Sequence, residues 1–137
     1  MICASPDYLR RRGEPHTPAD LSDHDCIALE ELQRYREWPF AGANGLQQVA
    51  IRARFSVNTA EGVIGGAVAG LGVARVLSYQ AAANVHAGTL VQILSDYRPP
   101  PIPVQLVYVA RQLQPLKLRA FLDFAAPRLR ARLSGIA

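Results

Sequence analysis

At 137 residues, half of them apolar and 19% charged, the chain is long enough for one domain with a real core and too ordinary in composition for a disordered or fibrous protein. No run of eighteen apolar residues occurs, which argues against a membrane-spanning helix, and the opening Met1-Ile-Cys-Ala-Ser-Pro lacks the basic and apolar regions expected of a signal peptide. The net charge of +4 rests on fourteen arginines against one lysine; solvated helix faces at Arg10 to Arg12 and at Arg119, Arg128, Arg130 and Arg132 fit it better than nucleic-acid contact.

In chain order, residues 1–5 read as the end of a strand. Ser5 caps a short helix with Pro6 at its first position; that helix carries Tyr8 and Leu9 and stops at Gly13. Thr17-Pro-Ala-Asp-Leu predicts a one-turn helix capped by Thr17. Cys26-Ile-Ala-Leu-Glu is a strand, Gln33 to Ala41 an extended piece around Trp38, and Gly42-Ala-Asn-Gly45 a hairpin turn, since Asn-Gly accepts positive φ. Gln48 to Ala53 alternates as a half-buried strand would, and Phe55-Ser-Val-Asn follows as a buried strand.

A helix is predicted from Thr59 to Gly70, with Asn58 and Glu61 at capping-box spacing and an apolar stripe of Val63, Ile64, Ala67, Val68 and Leu71. Gly65, Gly66 and Gly70 lower its propensity, which close packing against a sheet would offset. Gly72 to Leu77 is the next strand. Ser78 caps a helix to His86 that Gly88 ends, and Leu90 to Leu94 is a short strand. Pro99 to Pro103 is a stiff spacer. Gln105 to Ala110 reads as an apolar strand buried on both faces. Pro115 opens the last helix, with Leu118, Phe121, Leu122, Ala125 and Leu129 on its apolar face and Pro127 kinking it or ending its first segment at Ala126.

The stretch from Phe55 to Tyr79 is thus a βαβ unit, whose helix opens just past the carboxyl end of the first strand. In open α/β sheets small ligands bind there, because free N–H groups and the helix dipole favour anions. Asn58 and Thr59 are the candidate contacts, whether as caps, ligand contacts or both. Arg75, alone in an apolar strand, is a carboxylate anchor, a snorkelling strand-edge residue, or the partner of an acid such as Glu61 in an ion pair. His16, His24 and His86 lack metal-ligand spacing, so no metal is expected. Cys3 and Cys26, 23 residues apart, are expected as reduced, partly buried thiols in preference to a disulfide, which the sequence alone leaves open. Cys26 and His24 would share a face of an extended segment, yet nothing marks an oxyanion hole or an orienting acid. No nucleophile elbow, phosphate loop or dinucleotide fingerprint occurs, so no catalytic residue and no cofactor are expected.

Ala4-Ser-Pro-Asp-Tyr-Leu, Thr17-Pro-Ala-Asp-Leu-Ser-Asp-His-Asp-Cys-Ile, Val57-Asn-Thr-Ala-Glu, Ala69-Gly-Leu-Gly-Val-Ala-Arg-Val-Leu-Ser-Tyr-Gln, Ala87-Gly-Thr-Leu-Val-Gln-Ile-Leu, Pro103-Val-Gln-Leu-Val-Tyr and Leu116-Lys-Leu-Arg-Ala-Phe-Leu-Asp-Phe follow one another along the chain. Together they resemble the effector-binding domain of LysR-type transcriptional regulators. Val109 departs from the pattern, standing where many members have proline. The resemblance implies an α/β fold of the type 2 periplasmic-binding-protein kind. Residues of about 5–95 would form the second lobe and about 96–137 the strand and helix that return to the first lobe. It further implies that the helix-turn-helix, the linker helix and part of the first lobe lie outside this chain, a C-terminal fragment that should bind effector weakly or not at all by itself.

On that pattern Asn58 and Thr59 form the second-lobe wall of the effector cleft. Ser5 and Pro6 at the crossover, with Pro103 to Gln105 at the return, form hinge and cleft floor. The implied function is sensing of a small, anionic effector by a cytoplasmic regulator. It would act as a homodimer or higher oligomer, meeting DNA only through the missing N-terminal domain and making no membrane contact. The alternative is a free-standing small-molecule-binding or self-association module without DNA-binding function.

Overall fold

The computed structural model describes residues 1–30, 37–42, 45–99, 101–109 and 115–134, in two compact units, Met1–Pro100 and Pro101–Ala137. The first is built on a five-stranded sheet. Its strands are β1 (Ile2–Ala4), β2 (Asp25–Leu29), β5 (Arg52–Val57), β6 (Val73–Arg75) and β7 (Val91–Ile93), in the spatial order β5-β2-β6-β1-β7. β2 runs parallel to both β5 and β6, whereas β1 is antiparallel to β6 and β7. Strands β3 (Glu37–Gly42) and β4 (Gly45–Ala50) form a separate antiparallel hairpin.

The sheet buries a cluster on each face. On one side Ile2, Tyr8, Leu21, Cys26, Trp38, Phe40 and Ile93 join helix α1 (Pro6–Arg12), the 3-10 helix Pro18–Asp23 and the hairpin. On the other, Cys3, Ile27, Ala74 and Leu90 meet Val63 and Ala67 of α2 (Ala60–Val68) and Ala81 of α3 (Ser78–His86). Alternation along each strand produces this division: Cys3 and Ala74 stand opposite one another and point to the helices, while the next pair, Ile2 and Arg75, points the other way.

Local signals place several ends where the sequence expects them. Ser5 caps α1, accepting the Tyr8 amide at 3.3 Å, and Gly13 ends it at φ +81°. Thr17 heads the 3-10 helix, its amide and hydroxyl both donating to the Asp20 carboxylate. Gly42 stands opposite Gly45 in the hairpin; Ala43 and Asn44, the centre of the expected turn, lie outside the described residues, as do residues 31–36 of the expected extended piece. At the Gly-Leu-Gly turn, Gly70 has φ +75°, and Gly72 passes so close to β2 that a Cβ there would sit 2.3 Å from the Asp25 carbonyl oxygen.

Other expectations are corrected. Phe55 does not lie in a buried strand: β5 is the sheet's edge, and Phe55 is 40% exposed. Gln48 to Ala53 is not one strand but the end of β4 and the start of β5, divided at the buried Ile51. Between Cys26 and Ile27 the register shifts, so that Arg54 is the extra residue of a bulge; its guanidinium reaches Asp25 at 3.2 Å. The cap of α2 is Thr59, not Asn58: Thr59 holds extended φ/ψ and its Oγ1 accepts the Gly62 amide at 3.1 Å. Ser78 is likewise the first residue of α3 and not its cap; the Gln80 side chain takes the Leu77 amide. Of the expected apolar stripe on α2, Val63 and Ala67 are buried, but Val68 and Leu71 are exposed. Gly66 packs against Ile27 and Phe55, whereas Gly65 faces open space.

In the second unit, Gln105 to Val109 forms no strand, and Ala110 is outside the described residues. Val107 is 89% and Val109 81% exposed. Among the described residues the regular element of this unit is helix α4 (Leu116–Ser134). That helix follows Pro115, whose carbonyl accepts the Leu118 and Arg119 amides, and runs its 19 residues through Pro127 without ending there. Phe121 and Leu129 of its expected apolar face are exposed.

Candidate functional site

Because β2, β5 and β6 are parallel, their carboxyl ends share one end of the sheet, and two helices open there. β5 passes through Asn58 into α2, and β6 passes through Val76 and Leu77 into α3. An α-helix leaves its first N–H groups without intrahelical partners. In α2 the Thr59 hydroxyl takes that of Gly62, leaving those of Ala60 and Glu61 pointing out of the helix end. Asn58 and Thr59 are both exposed beside them, so this end is open to a ligand. The dipole favours an anion, against which the Glu61 carboxylate in the first turn competes.

The structure brings Asn58 and Thr59 together and separates them from Ser5 and Pro6. β1 runs antiparallel to β6, so its carboxyl end, with Ser5, lies at the opposite end of the sheet. There the Ser5 Oγ would be 3.5 Å from a Cβ on Gly70, and Arg11 donates to the Gly70 carbonyl at 2.8 Å. Gly70 follows α2, whose nine residues at about 1.5 Å each put roughly 13 Å between its ends. Ser5 is 3% exposed and occupied in capping α1. Hinge and cleft-floor positions at Ser5 and Pro6 therefore do not share a pocket with Thr59. Pro103 and Gln105 belong to the second unit, in an exposed segment without regular structure.

Sequence reasoning missed Leu77 and Gln80 at the second helix opening, although the residues around Ser78 already signalled a helix start. It also missed a buried polar network at the other end of the sheet. Tyr8 is 2% exposed, and its hydroxyl accepts the Asp25 amide at 3.0 Å. Its single proton then serves His24 Nδ1 at 3.0 Å or the Asp25 carbonyl at 3.4 Å. Burial, and secondarily the Arg12 guanidinium, push the His24 pKa down, which favours the neutral ring. A tyrosine predicted to be buried always raises the question of where its hydroxyl goes, and that was the available signal.

Cys26 is within 3.8 Å of the His24 carbonyl oxygen, but the imidazole faces Tyr8 instead. Both cysteines are free and fully buried, on opposite faces of the sheet. Burial raises the Cys3 thiol to about 11 and the Cys26 thiol to about 12. Neither forms the thiolate that nucleophilic chemistry needs at neutral pH.

A parallel-centred α/β sheet with helices opening at its carboxyl end is an architecture whose members take small ligands at that end. The LysR substrate binding domain model matches residues 1–130, and the chain belongs to that family. Among curated proteins, the HTH-type transcriptional regulator YhjC of Escherichia coli K12 is 30% identical over 90% of this chain and 42% of its own length. CrgA of Neisseria meningitidis, another HTH-type regulator, is 27% identical over 98% of this chain and 45% of its own. The chain thus spans less than half the length of these relatives. Among solved structures, the regulatory domain of AphB from Vibrio vulnificus superposes with a TM-score of 0.77 at 26% identity, over 93% of this chain and 63% of that one. The CrgA regulatory domain follows at 0.74, 26% identity, 90% of this chain and 60% of that one. These are LysR-type regulatory domains with the type 2 periplasmic-binding-protein-like fold, and the curated relatives are transcriptional regulators rather than enzymes.

Proposed function

We propose that the chain is the ligand-sensing part of a LysR-type transcriptional regulator, with residues of about 5–95 as the second lobe and about 96–137 as the return to the first. A small anionic effector binds at the N-terminus of α2, held by the Ala60 and Glu61 amides, the Asn58 side chain and the Thr59 hydroxyl. The observation that carries this reading is an exposed helix N-terminus at the carboxyl end of the parallel strands, where the Ala60 and Glu61 amides have no partner among the described residues. The parent protein is a cytoplasmic dimer or larger oligomer that meets DNA through a domain outside this chain. Effector binding changes lobe closure by preferring one of two states. No catalytic role is proposed, since the only adjacent Cys and His are a buried thiol and an imidazole turned to Tyr8.

The test is an amide NMR titration of the chain with sodium acetate and sodium phosphate, each against sodium chloride at matched ionic strength. The Ala60, Glu61 and Gly62 amides should move with an oxyanion beyond the chloride response, and Thr59→Val should diminish the movement. Oxyanion-induced shifts confined to other parts of the chain would overturn the reading.

A further inference from the structure

We propose that Tyr8, His24 and Asp25 form a proton-operated latch, which fastens α1 to the amino end of β2 while the His24 ring is neutral and lets α1 open when the ring takes up a proton. The latch stands on hydrogen bonds within the first unit. Only its consequence for a hinge rests on the effector reading above.

Tyr8 is the buried residue of α1. The other polar ties of this short helix run through arginines in its last turn: Arg11 donates to the Gly70 carbonyl and Arg12 to the Asp23 carbonyl, each at 2.8 Å. The phenol reaches the step from the 3-10 helix Pro18–Asp23 into β2, where His24 and Asp25 are both buried. Its hydroxyl accepts the Asp25 amide at 3.0 Å and has a single proton to give. His24 Nδ1 lies 3.0 Å away and the Asp25 carbonyl oxygen 3.4 Å. The shorter contact is the stronger one and takes that proton when Nδ1 carries a lone pair.

Only the neutral ring has such a lone pair. In the imidazolium both ring nitrogens donate, so Nδ1–H meets an oxygen that already accepts the Asp25 amide. The phenol proton is then left with the 3.4 Å contact. The charges facing the ring come from every element around it. Burial acts most strongly against the proton, and the Arg12 guanidinium of α1 comes next; Asp20 and Asp23 of the 3-10 helix and Asp25 of β2 act for it. Asp25 is already joined to Arg54 of β5 at 3.2 Å. The balance holds His24 below its ordinary pKa.

α1 carries both Tyr8 and Arg12, so one movement of this helix removes the cover and the like charge together. A ring that binds protons more weakly when enclosed drives that opening as pH falls, which is how a buried histidine works as a switch. On the effector reading, α1 leaves the sheet through Ser5 and Pro6, the crossover to the first lobe. Opening the latch then loosens the hinge and couples lobe closure to pH.

Native-state amide hydrogen exchange of the chain, followed by NMR from about pH 7.5 to about pH 5.5 and corrected for intrinsic rates, tests the latch. The reporters are the Leu9 and Gly13 amides, which bond to the Ser5 and Leu9 carbonyls. Their protection should lie below that of the β6 amides and change little with urea below the unfolding transition, because a local opening exposes little surface. It should also fall by up to about tenfold for each pH unit below about 6.5, the linkage of one proton. His24→Gln, whose side chain still meets the Tyr8 hydroxyl but takes up no proton, should abolish that fall. The ring nitrogen signals of the wild type should show Nδ1 unprotonated at about pH 7.5.

Three results overturn the proposal. Leu9 and Gly13 could match β6 in protection and urea dependence, so that α1 opens only with the whole unit. The pH response could be absent, or could persist in His24→Gln and so belong to another group. Nδ1 could already carry a proton in the neutral ring. If His24→Gln does not fold, the wild-type exchange profile and the Nδ1 signal decide alone. None of these readouts involves the opening of α2, so the latch and the effector site stand or fall separately.

Discussion

Gly72 shows how a single atom can decide a fold. A Cβ at this position would lie 2.3 Å from the Asp25 oxygen and 2.9 Å from its carbonyl carbon. Both are backbone atoms of the strand that β6 must pair with, so no side chain can rotate away. Gly72→Ala should therefore destabilise by about 3 kcal/mol or prevent folding, as overpacking against a fixed backbone does. Gly65→Ala, where nothing lies within 4 Å, should be neutral or stabilising by relief of glycine's helix penalty. Urea unfolding of the two variants tests the contrast, and equal midpoints would refute it. The buried imidazole of His24 adds a pH dependence. Its folded pKa lies below the ordinary value of about 6.5, so between the two values the unfolded chain binds more protons than the folded one. Stability is then fully present above about pH 6.5 and declines as pH falls through the interval down to the folded pKa. The urea midpoint of the wild type should drop over that range more steeply than that of His24→Asn. Parallel slopes would mean that the ring titrates as freely folded as unfolded.

At the scale of elements, what could be read from sequence was what is encoded locally. Ser5 before Pro6, Gly13, the Gly42 to Gly45 turn and Gly88 mark ends because each demand is met by the residue itself. Asn58 and Thr59 are adjacent residues that both cap well, so propensity alone does not separate them. Tertiary geometry chose Thr59, whose hydroxyl takes the Gly62 amide. Thr59→Ala should accordingly cost about 1 kcal/mol, and Asn58→Ala much less. A thermal-melt comparison that found Asn58→Ala the costlier would reinstate Asn58 as the cap. The exposure of Phe55 was not legible, because a strand's apolar residues do not say whether it will be central or at an edge. Nor was the distance between Ser5 and Thr59 legible: it follows from β1 running antiparallel to β6, a fact of pairing. The opening of α2 at Asn58 and Thr59 was legible because strand, elbow and helix are contiguous in the chain.

At the scale of the whole molecule, the two units differ in what they do with apolar side chains. In the first, Ile27, Phe40, Leu21 and Leu90 are enclosed on the two faces of the sheet. In the second, Ile102, Val104, Val107 and Val109 of the extended segment are exposed, as are Leu116, Phe121 and Phe124 of α4. Exposed apolar side chains in this number seek cover. The chain by itself should therefore associate, as a dimer or a larger oligomer that covers these side chains. Light scattering across a concentration series should show a mass above that of one chain. Val107→Lys with Val109→Lys should lower it without changing the urea midpoint of the first unit, whose core contains neither residue. Cys3 and Cys26 report on that core independently. With their thiols raised to about 11 and 12, they should resist a thiol reagent at neutral pH until the first unit unfolds, in wild type and double variant alike. A monomeric wild type would show that the exposed segment finds its cover within one chain; thiols made reactive by the Val107 and Val109 changes would show that the first unit depends on that cover.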